Sequence, residues 1–93
     1  MDTQDTVGQC ELCGRNRPLT FHHLIPRTCH SNKWFKKNFS REEMSRGIDL
    51  CYECHSHLHG EFSEKELGRY FNSKEALLAN ERIRRFVEWI ERR

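Results

Sequence analysis

The sequence predicts a small α+β domain in which short strands precede a run of helices and something besides the hydrophobic core holds the fold together. Three observations point to this class. Ninety-three residues provide one core and leave no room for a second domain. Hydrophobic residues are 35% of the chain and charged residues 32%, so a core this small needs disulfides or a metal as a staple. Five cysteines and six histidines are the raw material for one. No stretch approaches the roughly 18 consecutive apolar residues of a membrane span. The polar, acidic start, Met1 to Asp5, does not read as a secretory signal. A membrane protein and a multidomain enzyme are thereby excluded, and a cytoplasmic location is expected.

Four cysteines form two pairs, Cys10-Glu11-Leu12-Cys13 and Cys51-Tyr52-Glu53-Cys54. A Cys-x-x-Cys pair makes a tight knuckle that offers two thiolates to one ion, and two pairs complete a tetrahedral sphere. Gly14 follows the first pair, where a sharp turn favours positive φ. The odd cysteine count and the lack of a secretory signal argue against a disulfide framework. The absence of a βαβ pattern argues against a redox pair. Cys10, Cys13, Cys51 and Cys54 are therefore expected to hold a structural Zn²⁺ in a reducing environment. Cys29 is left over, either a small buried thiol or a spare reactive one.

Taken in order, residues 1–7 read as a flexible tail and residues 8–60 as the metal-bearing core. Residues 61–93 read as a helical extension folded back on it. Arg15-Asn16-Arg17-Pro18 reads as a turn. Leu19 to Leu24 is a strand candidate stopped by Pro26, and Thr28 to Asn38 reads as irregular. Ser40-Arg41-Glu42-Glu43 has capping-box spacing for a brief helical turn, ended by Gly47. Ile48 to Leu50 is a second strand candidate that leads into the second knuckle. A helix is expected from Tyr52 to His59 with Gly60 as its stop. Ser63 to Glu66 is another capping box, opening a helix through about Tyr70, and Asn72 and Ser73 cap a third through Ala79. Ile83, Phe86, Val87 and Ile90 form one apolar stripe on a last helix, at i, i+3, i+4 and i+7.

The histidines are grouped. His55 and His59, four apart on the expected helix, face the same way and can share one ion. A third ligand must come from elsewhere in the chain, and the adjacent pair His22-His23 is the obvious source. Neighbours on a strand point to opposite faces, so one of the two can be a ligand while the other serves as a base. Three neutral imidazoles leave positions on a divalent ion for phosphate oxygens, and a fourth can take a proton from water. His30 and His57 read as surface or supporting residues.

Residues 24–46 carry six basic side chains against Glu42 and Glu43, with Trp34, Phe35 and Phe39 interleaved. Lys33, Lys36, Lys37 and Arg41 suit a phosphate backbone, and the rings suit stacking. The alternative is a solvated loop whose aromatics plug the small core.

With Cys-x2-Cys, then His-His-Leu-Ile-Pro, then Leu-Cys-x2-Cys-His-x3-His in this order, residues 8–60 resemble the HNH endonucleases. These are nucleases of the ββα-metal (His-Me finger) type, here with a treble-clef-like core and a four-cysteine zinc. In that family a short hairpin leads into a helix, with the catalytic ion between them. The resemblance implies that His23, three places before Pro26, is the general base. It assigns His22, His55 and His59 to one divalent ion, whether Mg²⁺, Mn²⁺, Ni²⁺ or Zn²⁺. It implies hydrolysis of DNA, double-stranded by expectation, to 5′-phosphate and 3′-hydroxyl ends. One position departs from the pattern, because Arg46 stands where the family carries an Asn that pins the base-bearing loop. Asn32 or Asn38 could substitute, Asp49 could orient an imidazole, or Arg46 could contact the phosphate. Two other functions compete: a non-catalytic zinc-ribbon module that binds nucleic acid, and a treble-clef adaptor for proteins.

Overall fold

Short strands and helices arise from local signals that the chain places in sequence. The computed structural model describes residues 7–93. Three strands, β1 (Val7–Gln9), β2 (Asn16–His23) and β3 (Gly47–Cys51), form one antiparallel sheet in the order β1-β2-β3. The helices are α1 (Lys33–Asn38), α2 (Arg41–Met44), α3 (Tyr52–Glu61), α4 (Glu64–Tyr70), α5 (Lys74–Ala79) and α6 (Glu81–Ile90). A 3₁₀ turn covers Arg27–Cys29. The whole is α+β, and among the described residues no helix is long and apolar enough to cross a membrane.

The hairpin β2–β3 pairs Leu19 with Cys51 and His23 with Gly47, and β3 runs directly into α3. Both capping boxes form. Ser40 Oγ accepts the Glu43 amide while the Glu43 carboxylate accepts the Ser40 amide, and Ser63 and Glu66 do the same. Each box satisfies two amides that a helix start leaves unpaired.

Several expectations are corrected. Val7, expected to belong to a flexible tail over 1–7, pairs with Pro18 in the sheet; residues 1–6 lie outside the described residues. The turn expected over 15–18 is largely strand. Pro18, which has no amide to donate, is the last residue paired with β1 before pairing with β3 begins at Leu19. The segment expected to be irregular contains α1, capped by Asn32. Gly60 lies inside α3 and does not end it; the helix stops at Phe62, whose ring packs 4.6 Å from that of Phe71.

The main core joins the cysteine knuckles to the last helices. Cys10, Leu12, Leu50 and Leu58 pack with Leu67, Leu77, Ile83, Val87 and Ile90. The stripe on α6 is thus buried against the metal-bearing half. A second cluster, Ile25, Cys29, Phe35 and Met44, sits under the basic segment. Gly68 on α4 makes this packing possible, since a Cβ there would lie 3.0 Å from the Phe35 ring and 3.2 Å from Pro26.

Candidate metal centres and the basic face

Two clusters of metal-ligating side chains lie at the two ends of one hairpin–helix unit. In the first, Cys10 and Cys13 come from the knuckle after β1, Cys51 ends β3, and Cys54 lies in the first turn of α3. All four are buried, and their sulfurs lie within 4.8 Å of one another. Gly14 has φ +78° and closes the knuckle by donating its amide to the Cys10 carbonyl at 2.9 Å. Cys13 and Cys51 are 3.8 Å apart, Sγ to Sγ. A tetrahedron with Zn–S bonds of about 2.3 Å has an edge of about 3.8 Å. Arg15 spans this edge, with Nε 3.4 Å from Cys13 Sγ and Nη2 3.4 Å from Cys51 Sγ and 3.1 Å from Glu53 Oε1. The neighbouring Cys54 side chain pulls the Cys10 pKa down to about 4, while Cys54 itself is pushed up. Four sulfurs this close cannot all lose their protons without a cation among them. The donor set, four thiolates, fits Zn²⁺.

Cys29 is no part of this cluster. It is 3% exposed, its thiol donates to the Glu64 carbonyl at 3.7 Å, and burial pushes its pKa up. It is a small buried thiol that packs α4 against the second core.

The second cluster follows from the pleat of β2. Side chains alternate along a strand, so Thr20 and His22 face α3 while Phe21 and His23 face away, their rings 4.9 Å apart. One turn apart on α3, His55 and His59 meet His22. Ring centroids are 5.1 Å for His22–His55, 5.5 Å for His22–His59 and 4.9 Å for His55–His59. One nitrogen from each of the three lies within 4.8 Å of the others.

His22 is completely buried, and neither of its nitrogens has a hydrogen-bond partner. Leaving such a group unsatisfied costs about 1–3 kcal/mol. Burial, reinforced by His55 and His59, lowers its pKa to about 3, and burial also lowers that of His55. Both imidazoles are neutral and keep a lone pair. His59 is exposed, and a cleft of about 210 Å³ lined by Tyr52, His55, Ser56 and His59 opens to the surface. Three imidazoles, one with unmet nitrogens and one at a solvent-open rim, fit a divalent transition ion.

His23 lies on the other side of the strand. It is half-buried, 6.0 Å from the His30 ring, and burial, His30 and Arg27 together lower its pKa. His30 is anchored through Nε2, which donates to the Ile25 carbonyl at 2.8 Å. His57 stacks flat on Phe86 at 3.8 Å, outside the cluster.

At the position that departs from the family pattern, Arg46 has an exposed side chain. Its carbonyl accepts the Leu24 amide at 3.1 Å, so backbone ties down the residue after His23. Neither Asn32 nor Asn38 serves as the substitute. Asn32 accepts the Trp34 and Phe35 amides, and Asn38 donates to the Trp34 carbonyl at 2.7 Å, so both are spent on α1. Asp49 is held by Glu11, whose carboxylate accepts the Asp49 amide at 2.7 Å. Thr20 touches an imidazole of the cluster, with Oγ1 2.7 Å from His55 Nδ1. Sequence reasoning missed it; the available signal was its position two before His22, on the same face of the strand.

Lys33, Lys36 and Lys37 on α1 and Arg41 on α2 are all exposed, and none belongs to an ion pair among the described residues. Of the interleaved aromatics, Phe35 is buried and Phe39 stacks on it at 6.1 Å, so these two plug the second core. Trp34 is 38% exposed, with the Arg69 guanidinium 4.3 Å from its ring centre. A cleft of about 610 Å³ on the basic face is lined by His30, Lys36, Phe39, Ser40 and Arg41, and the His30 ring lies 6.0 Å from that of His23.

Compared with known proteins, the chain is 33% identical over 90 residues to the Uncharacterized protein YisB of Bacillus subtilis (strain 168), an alignment covering 92% of this chain and 76% of that protein. No family model matches the chain, and no solved structure matches it.

Proposed function

This chain belongs to the family of Bacillus subtilis YisB, and from the geometry of its histidines we propose that it is a metal-dependent HNH endonuclease acting on DNA. One observation carries the reading. Imidazoles from two distant segments, His22 on β2 and His55 and His59 on α3, converge within 4.8 Å, and the buried one has no hydrogen-bond partner of its own. A pure binding module has no use for such a cluster beside a complete four-cysteine site.

In this reading a hairpin followed by a helix is the ββα-metal unit, and Cys10, Cys13, Cys51 and Cys54 hold structural Zn²⁺. His22, His55 and His59 would hold the catalytic cation. A divalent ion bound there supplies positive charge to polarise a phosphodiester oxygen. His23 is the general base. Held neutral by burial, His30 and Arg27, it accepts a proton from the attacking water at a ring nitrogen. Lys33, Lys36, Lys37 and Arg41 neutralise backbone phosphates. Arg46, exposed beside the hairpin, is a second phosphate contact. The products carry 5′-phosphate and 3′-hydroxyl ends. Five reduced thiols suit a cytoplasmic setting.

The test is incubation of zinc-loaded protein with supercoiled plasmid and Mg²⁺, Mn²⁺ or Ni²⁺. Nicked and linear products that EDTA abolishes are expected. Absence of cutting with every ion, alongside retained DNA binding, would move the assignment to a non-catalytic zinc module.

A further inference from the structure

Thr20 bridges, through its hydroxyl, the backbone of β3 and the ring of His55. Its hydroxyl oxygen lies 3.0 Å from the Leu50 carbonyl oxygen and 2.7 Å from His55 Nδ1. A carbonyl only accepts, so the hydroxyl hydrogen is directed at Leu50. The hydroxyl then offers His55 only a lone pair, and Nδ1 must be the donor. Nε2 is left bare, which is the state a ligating nitrogen requires.

We propose that Thr20 is a positioning residue of the histidine site, locking His55 as its Nδ1–H tautomer and presenting Nε2 to the ion shared with His22 and His59. The inference rests on reading those three histidines as a metal site. The sheet register builds the relay. Thr20 pairs with Leu50 across the hairpin, and its side chain shares a face with His22. One strand thus supplies a ligand and, two residues earlier, the group that prepares another. A free imidazole in water favours the Nε2–H tautomer, which hides this lone pair, so the hydroxyl works against the ring's own preference. Partners of this kind characteristically govern metal affinity as well as ring orientation.

The test compares Thr20→Val, which keeps the shape and removes the hydroxyl, with Thr20→Ser, which keeps the hydroxyl. Long-range proton–nitrogen NMR on zinc-loaded protein, with no ion added at the histidines, reads the His55 tautomer directly. Calorimetric titration with Ni²⁺ reads affinity. Wild type and Thr20→Ser should show Nδ1–H, and Thr20→Val should move toward Nε2–H. Ni²⁺ affinity should fall about 10–100-fold in Thr20→Val and return in Thr20→Ser. Wild-type protein with His55 as Nε2–H overturns the proposal without any variant, even if Thr20→Val fails to fold. So does a Thr20→Val protein with unchanged tautomer and affinity, or a wild type that takes up no Ni²⁺ at the histidines. Plasmid cleavage is scored separately. A tautomer and affinity shift in a protein that cuts nothing would leave Thr20 in place and remove the nuclease assignment.

Discussion

His22 and His23 are chain neighbours with opposite environments, and the pleat of one strand accounts for the difference. His22 is sealed against α3 with two unmet nitrogens, whereas His23 sits across the strand beside Phe21 and His30. The two roles should therefore separate on mutation. His23→Ala is expected to abolish plasmid cleavage while calorimetry shows Ni²⁺ uptake near the wild-type level, and His55→Ala is expected to lose both. Cleavage at the wild-type rate by His23→Ala would show that another group is the base. The grouping of His22, His55 and His59 was legible in sequence because strand alternation and helical spacing are local rules. Thr20 was not, because an isolated hydroxyl acquires meaning only when the hairpin brings Leu50 beside it and α3 delivers His55. Asn32 and Asn38 misled for the related reason that an Asn is equally suited to helix capping.

The hairpin that carries His22 is closed by a glycine that cannot grow. A Cβ on Gly47 would overlap the Phe21 ring and lie 2.5 Å from the His22 carbonyl oxygen. Gly47→Ala should cost about 1–3 kcal/mol through overpacking, read as a lower thermal midpoint, with weaker Ni²⁺ uptake because the strike falls on the strand beneath His22. Helix α2 offers a pH test. Its Glu43 carboxylate accepts the Ser40 amide at 2.8 Å, and that bond holds the Glu43 pKa below its ordinary 4.5. A depressed folded value means the contribution is complete above the unfolded pKa and is lost as pH falls through the folded one. NMR titration should place the Glu43 midpoint below 4.5, with the α2 amides shifting in the same range; a midpoint at or above 4.5 would contradict the box. Both capping boxes were readable because they span four residues. Helix α1 was not, since its six residues are too few to display a helical period, and Asn32 was the sole sign of it.

Over the molecule as a whole, the proposed structural Zn²⁺ would staple a sparse core. Structural Zn²⁺ contributes about 10 kcal/mol or more to folding, comparable with the total stability of about 5–15 kcal/mol expected of a domain. Cys51→Ser is accordingly expected to give an unfolded far-ultraviolet spectrum, and a folded variant would contradict the staple. The basic segment is also a whole-molecule property, for α4 holds it through Gly68 against Phe35, Glu64 against Cys29 and Arg69 over Trp34. Replacing Lys33, Lys36, Lys37 and Arg41 with Gln in a His23→Ala background should weaken duplex binding. The slope of log affinity against log salt should fall by about 0.9 for every phosphate left without its cation, measured by fluorescence anisotropy. The distribution of charge was visible in sequence, but the fate of its aromatics was not, because the helix that buries Phe35 arrives far later in the chain, at Glu64–Tyr70. Cys54 and His55 are consecutive on α3, the last sulfur of one cluster abutting the first helical imidazole of the other. A change that opened the cysteine cluster and loosened the first turn of α3 would therefore carry His55 out of the imidazole triangle with it.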